Sequence, residues 1–122
     1  MHEMALMESV REIVEQTARA NGARRVARVQ LQIGALAAVE PQALRFCFEV
    51  VMNDGVAAGA ALDIQTVPGA AWCWDCSRSV TLEHGGCPCP GCGGQRLQIT
   101  AGTEMRVHEI DLQMEQESSQ CV

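Results

Sequence analysis

Lysine and tyrosine are absent from this 122-residue chain, and it holds only two Phe and two Trp. Without lysine there is no P-loop ammonium for nucleotide phosphates and no side-chain amine for a Schiff base, which excludes both chemistries from the chain itself. With so few rings, the core has to be filled by Val, Leu, Ile, Ala and Met. Hydrophobic residues make up 48% of the chain, enough for that purpose. No apolar run reaches the roughly 20 residues that span a bilayer, and no basic segment followed by an apolar one opens the chain. The expected location is therefore the cytoplasm, with no membrane partner. Positive charge is scarce as well: nine Arg stand against fifteen Asp and Glu, for a net charge of −6. Nucleic-acid affinity depends on cationic contacts to phosphates, so no nucleic-acid partner is expected.

Cysteine, by contrast, is in excess, with seven residues. In a reducing compartment that density points to metal or thiol chemistry rather than disulfides. Five of the seven lie in "WCWDCSRSVTLEHGGCPCPGCGG", where Cys73 and Cys76 form one C-x-x-C and Cys89 and Cys92 another, twelve residues apart. Each C-x-x-C turn places two thiolates on one side of a tight loop. Two such turns facing each other close a Cys₄ site for zinc that leaves no position open for a substrate, which makes it structural. Gly91, Gly93 and Gly94 read as turn residues of the second loop. Cys87 is a spare thiol beside that loop, but four residues would separate it from Cys92, so Cys89 is the better ligand. An iron–sulfur cluster takes the same four thiolates, and spacing alone leaves that alternative open. Cys47 reads as a small hydrophobe on a helix face, Cys121 as a tail thiol, and His84 as a solvated loop residue.

Periodicity organises the remainder. From Glu3 to Ala20, Met4, Met7, Val10, Val14 and Ala18 recur at helical spacing, with a stop at Asn21-Gly22. Ala27, Val29, Leu31 and Ile33 alternate with Arg28, Gln30 and Gln32, which predicts a half-buried strand. Pro41 suits the first turn of a second helix, whose apolar stripe is Leu44, Cys47, Phe48 and Val51 and whose end is Asn53-Asp54-Gly55. A strand with Leu62 and Ile64 inward follows, and composition shifts at Pro68-Gly69. "RLQIT" and "EMRVHEIDL" return as strand. The expected fold is α+β: a small sheet packed by two helices, with an inserted Cys₄ zinc-ribbon-like module. The expected domains are 1–68 completed by the returning strands 97–112, the zinc module 69–96, and a disordered tail 113–122.

"MHE" at the start, "CWDC" and "CPGC" twelve residues apart, and the closing "EMRVHEIDL" strand together resemble the HypA/HybF family. These are the nickel metallochaperones of nickel–iron hydrogenase maturation. The resemblance runs from Met1 to about Leu112. It implies a small protein that is not an enzyme, with nickel bound at an N-terminal site that includes His2 and zinc at Cys73, Cys76, Cys89 and Cys92. It further implies delivery of Ni(II) to the hydrogenase large subunit with a GTPase accessory protein, and in some organisms a part in urease maturation. A monomer or weak dimer is expected.

The chemistry of the first residues stands beside that resemblance. The Met1 amine, the His2 amide nitrogen and the His2 imidazole can close a five- and a six-membered chelate ring on one ion. Nitrogen donors in a planar array suit Ni(II) or Cu(II) rather than Mg(II) or Ca(II). A six-coordinate site using the imidazole with other donors is the alternative geometry. A helix starting near Glu3 carries about half a positive charge at that end, which opposes a cation. Glu3 is thus expected to act on the metal directly or through a neighbour, and Glu8 through its charge alone. His108 reads as a solvent-facing strand residue. A zinc-ribbon module for protein or nucleic-acid interaction is the second reading, but Asp75, Arg78, Glu83 and Arg96 make no basic stripe around the cysteines. A thiol oxidoreductase is the third, and the βαβ setting of a redox C-x-x-C is missing.

Overall fold

Met7, Val10, Val14 and Ala18, spaced three and four apart, share one face of a helix, and all four are buried. In the computed structural model, which describes residues 3–114, that helix is α1 (Glu3–Ala20). It is followed by β1 (Ala23–Gly34), α2 (Pro41–Val51), β2 (Ala61–Val67), β3 (Gly69–Cys73), β4 (Arg78–Leu82), β5 (Leu97–Ala101) and β6 (Met105–Met114). The strands form two three-stranded sheets, ordered β2-β1-β6 and β4-β3-β5. This is the α+β class expected. The described chain groups into two compact units: one holds both helices with the chain to Leu31, Val39–Asp63 and the chain from Val107, the other Gln32–Ala38 and Ile64–Arg106.

In the first unit each helix ends where its sequence stops it. Gly22 takes φ +64° and donates its N–H to the Arg19 carbonyl at 3.2 Å, a left-handed stop that costs a glycine nothing. Glu40 caps α2, its carboxylate accepting the Ala43 N–H at 3.1 Å, with Pro41 in the first turn where no N–H is needed. Leu44, Cys47, Phe48 and Val51 are buried, as their spacing predicts. Arg11 of α1 ties the two helices together. Its guanidinium donates to the Val51 carbonyl at 2.6 Å, to Asp54 at 2.9 Å and to Glu15 at 2.7 Å. A cation on the last carbonyls of α2 also meets the negative end of that helix dipole.

Strand β1 buries Val29, Leu31 and Ile33. The alternation does not extend back to Ala27, which is exposed while Val26 is buried. The phase shifts because Val26 donates its N–H to the Val56 carbonyl at 2.9 Å, a partner in the loop after α2. On the polar face, Arg28 reaches Asp63 of β2 and Glu109 and Asp111 of β6, at 3.1, 3.2 and 2.8 Å. Exposed pairs of this kind contribute about 0–1 kcal/mol each, so the shared guanidinium chiefly fixes which strands are neighbours.

The second unit departs from the sequence reading. No strand was expected between Pro68 and Arg96, yet β3 and β4 form an antiparallel hairpin from Gly69↔Leu82 to Cys73↔Arg78. Gly69, Ala70 and Ala71 have too little side chain to register as an alternating pattern. The returning strands were both assigned to the first sheet. Instead, β5 pairs antiparallel with β3, through Ala71↔Ile99, Trp72↔Gln98 and Cys73↔Leu97, and only β6 lies beside β1. Strand β6 continues through Gln113 and Met114 of the expected tail; residues 115–122 lie outside the described residues.

Three glycines let the chain cross itself here. A Cβ on Gly34 would run into the Gly102 carbonyl, one on Gly102 into the Gly69 Cα, and one on Gly69 into the Leu82 carbonyl and Leu36 side chain. Gly102 also holds φ +104°. The approach is fixed by Leu36 N–H to Gly102 O and Gly34 N–H to Glu104 O, both 2.7 Å. Gly102→Ala should therefore lower unfolding stability by on the order of 3 kcal/mol, because strain and overlap with backbone add together. Gly85→Ala, with open space around it, should stay within about 0.5 kcal/mol. Urea titration of the two variants checks the contrast.

Candidate metal centre

Cys73 is the last residue of β3, and β4 begins at Arg78, so the first C-x-x-C is the turn of the hairpin itself. Ser77 closes that turn at φ +56°, donating its N–H to the Cys73 carbonyl at 2.8 Å. The second C-x-x-C repeats this conformation: Gly93, at φ +75°, donates to the Cys89 carbonyl at 2.8 Å. Amide hydrogens aim at sulfur in both. Cys76 N–H points at Cys73 Sγ at 3.3 Å, Gly91 N–H at Cys89 Sγ at 3.3 Å, and Gly94 N–H at Cys92 Sγ at 3.4 Å. Each donor stabilises negative charge on its sulfur.

The two turns bring four sulfurs together. Cys73 and Cys92 Sγ are 3.7 Å apart, Cys76 and Cys89 Sγ 3.8 Å, and all four lie within 4.8 Å of one another. A tetrahedron with metal–sulfur bonds of about 2.3 Å has edges of about 3.8 Å. The six cysteines among the described residues are all free, so these separations are not disulfides. Donor type, number and spacing fit a closed tetrathiolate zinc site, and this is the one such group of metal-binding side chains among the described residues. Cys73 and Cys89 are buried, Cys76 is half-buried and Cys92 exposed.

What surrounds the sulfurs was not legible from spacing. Gly91 and Gly94 serve by their lack of a side chain rather than by turn freedom, since neither has positive φ. The Arg78 guanidinium lies on Gly91 and hydrogen-bonds Cys76, while the Asp75 carboxylate lies on Gly94. Arg96 grips Asp75 through two nitrogens, at 2.6 and 2.9 Å. The first C-x-x-C segment is thereby braced, through Asp75 and Arg78, against two bare glycines of the second. Arg78 also places one positive charge against a cluster that carries excess negative charge when four thiolates hold a dication. The only hint of this in sequence is an arginine two residues after the first pair.

Hydrogen bonding divides the thiols when no metal is bound. Cys92, then burial and the other two thiols, push Cys76 up to about 12. The backbone N–H of Cys92, outweighing burial, brings Cys89 down to about 6. In the metal-free cluster the thiolate is therefore favoured at Cys89 and the thiol at Cys76.

The other candidates lie apart from the cluster. Cys87 is exposed and outside the group of four; His84 and His108 are exposed on a bend and on β6; Cys47 is buried on α2. Glu3 opens α1, and its carboxylate accepts the Glu40 N–H at 3.2 Å. Met1 and His2 lie outside the described residues.

Thiol protons must leave when a metal binds, so apparent zinc affinity should rise with pH. At pH 7 a proton should come from Cys76 and none from Cys89. Below about pH 6, Cys89 should add one more. Zinc titration calorimetry in buffers of differing ionisation enthalpy, above and below that pH, counts these protons. Gly91→Ala and Gly94→Ala should each weaken zinc retention by roughly 10–100-fold, the usual effect of losing groups that orient metal ligands. Competition with a chromophoric chelator measures the loss.

A family described as "Hydrogenase/urease nickel incorporation, metallochaperone, hypA" matches residues 1–112. The hydrogenase maturation factor HypA of Azoarcus sp. is 57% identical over 112 residues, covering 92% of this chain and 98% of the relative. That of Rhodopseudomonas palustris is 54% identical, covering 92% and 99%. The solution structure of the nickel metallochaperone HypA from Helicobacter pylori superposes with a TM-score of 0.67 at 27% identity, covering 94% of this chain and all of that one. A second HypA solution structure gives 0.69 at 29%.

Proposed function

The chain belongs to the HypA family, and from that premise we propose that it carries Ni(II) to nickel–iron hydrogenase during maturation, with a structural Zn(II) held by its four clustered cysteines. The observation that carries this reading is the family match over residues 1–112, which takes in the N-terminal "MHE" and both C-x-x-C pairs. Nickel is cargo here. Its ligands are the His2 imidazole and amide nitrogen and the Met1 amine, with Glu3 as a carboxylate at or beside the ion. Donors of this kind favour Ni(II) or Cu(II) over Mg(II) or Ca(II), and because Cu(II) is bound more tightly by intrinsic affinity, supply or partner sets the choice of nickel.

Glu3 supports the assignment in two ways. It is the first residue of an 18-residue helix whose next turns are fixed in the core through Met7 and Val10, so its own carboxylate is carried on a rigid element. Its negative charge also offsets the positive end of the helix dipole, which opposes a cation there. A site opposed by a dipole and eased by one carboxylate binds moderately and releases quickly. Those properties suit transfer by ligand exchange. No bond in a substrate is made or broken, so no catalytic residue is assigned.

In this reading the helical unit handles nickel and the segment from Gly69 to Arg96 handles zinc. Four thiolates fill the coordination of zinc and hold that segment's shape. The recipients are the hydrogenase large subunit and, where the organism has one, urease. A GTPase accessory protein in the cytoplasm supplies the nucleotide-driven step that a chain without lysine does not. Among the described residues no helix is long and apolar enough to cross a membrane.

Calorimetric titration of nickel into untagged, zinc-loaded protein should give about one ion per chain, and His2→Ala should abolish that binding. Trp72 and Trp74, edge to face at 6.1 Å beside Cys73, should keep their emission in the variant and so report an intact module. Equal binding by both proteins would place nickel elsewhere and overturn the assignment.

A further inference from the structure

Arginine supplies all the positive side-chain charge when histidine is neutral, and most of the nine residues are committed within the chain. Arg11 binds Glu15 and Asp54; Arg28 binds three carboxylates; Arg96 binds Asp75. Arg25 and Arg45 donate to the carbonyls of Ala58 and Leu62, each at 2.9 Å, Arg106 to Gln32 at 2.7 Å, and Arg78 to Cys76. Among the described residues, only Arg19 and Arg24 have no partner.

Both line the same groove. It has a volume of about 660 Å³ and runs beside the last turns of α1, the start of β1 and the loop after α2. Arg11 and Arg25 line it too, with Glu15 and Asp54 as its only acids, and both acids are already held by Arg11. Four guanidiniums against two carboxylates leave a local excess of two positive charges on a chain of net −6. Cationic side chains crowded into one groove repel one another, and a bound anion relieves that repulsion. A concave surface of one sign also concentrates counter-charge.

The lining narrows the choice of anion. Arg19 and Arg24 present planar forks suited to carboxylates or phosphates. No aromatic ring is present to stack a base, and the remaining lining is small and aliphatic, including Ala18, Ala23 and Val56. An extended chain bearing spaced carboxylates fits an open, small-walled groove, whereas a nucleotide would find neither a base platform nor a glycine-rich phosphate loop. We propose that this groove docks an acidic, Asp/Glu-rich segment of a partner protein. Glu3 and the groove lie at opposite ends of α1, which at 18 residues is roughly 27 Å long. A partner seated at Arg19 and Arg24 therefore leaves the start of the helix uncovered. The proposal does not depend on where nickel binds.

The test uses the full zinc-loaded chain and a short fluorescein-labelled oligoglutamate peptide, read by anisotropy at low and physiological salt. The overall negative charge of the protein repels such a peptide, so binding must come from a local surface. Wild type should bind, more weakly as salt rises. Arg19→Gln/Arg24→Gln should weaken binding by about tenfold, the effect of losing two exposed charge pairs. Arg19→Lys/Arg24→Lys should restore most of it, which separates lost charge from lost folding. Arg106→Gln should bind as wild type. Absence of binding by wild type, equal binding by the double Gln variant, an equal loss in Arg106→Gln, or displacement of the peptide by inorganic phosphate at comparable concentration would each overturn the proposal.

Discussion

Four sulfurs held at tetrahedral spacing are the constraint on which the second unit depends. Between Ile64 and Arg106 the buried hydrophobic side chains are Ala71, Cys73, Leu82 and Cys89, and two of those four are cysteines of the cluster. So few buried apolar groups leave a segment of this size without a hydrophobic core of its own. The sheet β4-β3-β5 is a frame that brings four cysteines together, and in the proposed reading a structural zinc would stand in the place of that core. This explains why side-chain-free positions are concentrated here: Gly91 and Gly94 admit Arg78 and Asp75, and these brace the sulfur-bearing turns.

The helical unit is built on the opposite economy. Met7, Val14 and Leu44 are fully buried, and Arg11 joins α1 to the end of α2 with three hydrogen bonds. That rigidity gives α1 two ends with different electrostatics. At the start, Glu3 offsets the positive end of the dipole, which under the proposed function would suit loose binding of a transferable ion. At the far end, Arg19 and Arg24 remain unneutralised beside the start of β1. A carrier needs both a weak hold on its cargo and a recognisable surface for the protein that exchanges with it, and a single stiff helix can separate the two.

Local signals were read correctly where a structure is encoded by neighbours in the chain. The stripes of α1 and α2, the stop at Asn21-Gly22, Pro41 in the first turn of α2 and the two C-x-x-C turns all follow from residues within one or two helical turns of each other. Ala27 was misassigned because Val26 takes a partner thirty residues away. Strand β3 gives no signal because Gly69, Ala70 and Ala71 carry no alternation to detect, and the place of β5 in the second sheet is not legible because strand pairing is not a local property.

The sequence by itself thus determined the α+β class, the helices, the identity of the four clustered thiols and the resemblance that points to nickel. Each of these rests on spacing along the chain, and spacing survives without coordinates. Tertiary structure alone decided that Gly34, Gly69 and Gly102 meet backbone to backbone and that Arg78 and Asp75 lie on bare glycines. It also decided that β5 joins β3, and that the two unpartnered arginines share one groove. Those are relations between residues tens of positions apart, set by strand pairing and side-chain packing within each unit, and no local periodicity carries them.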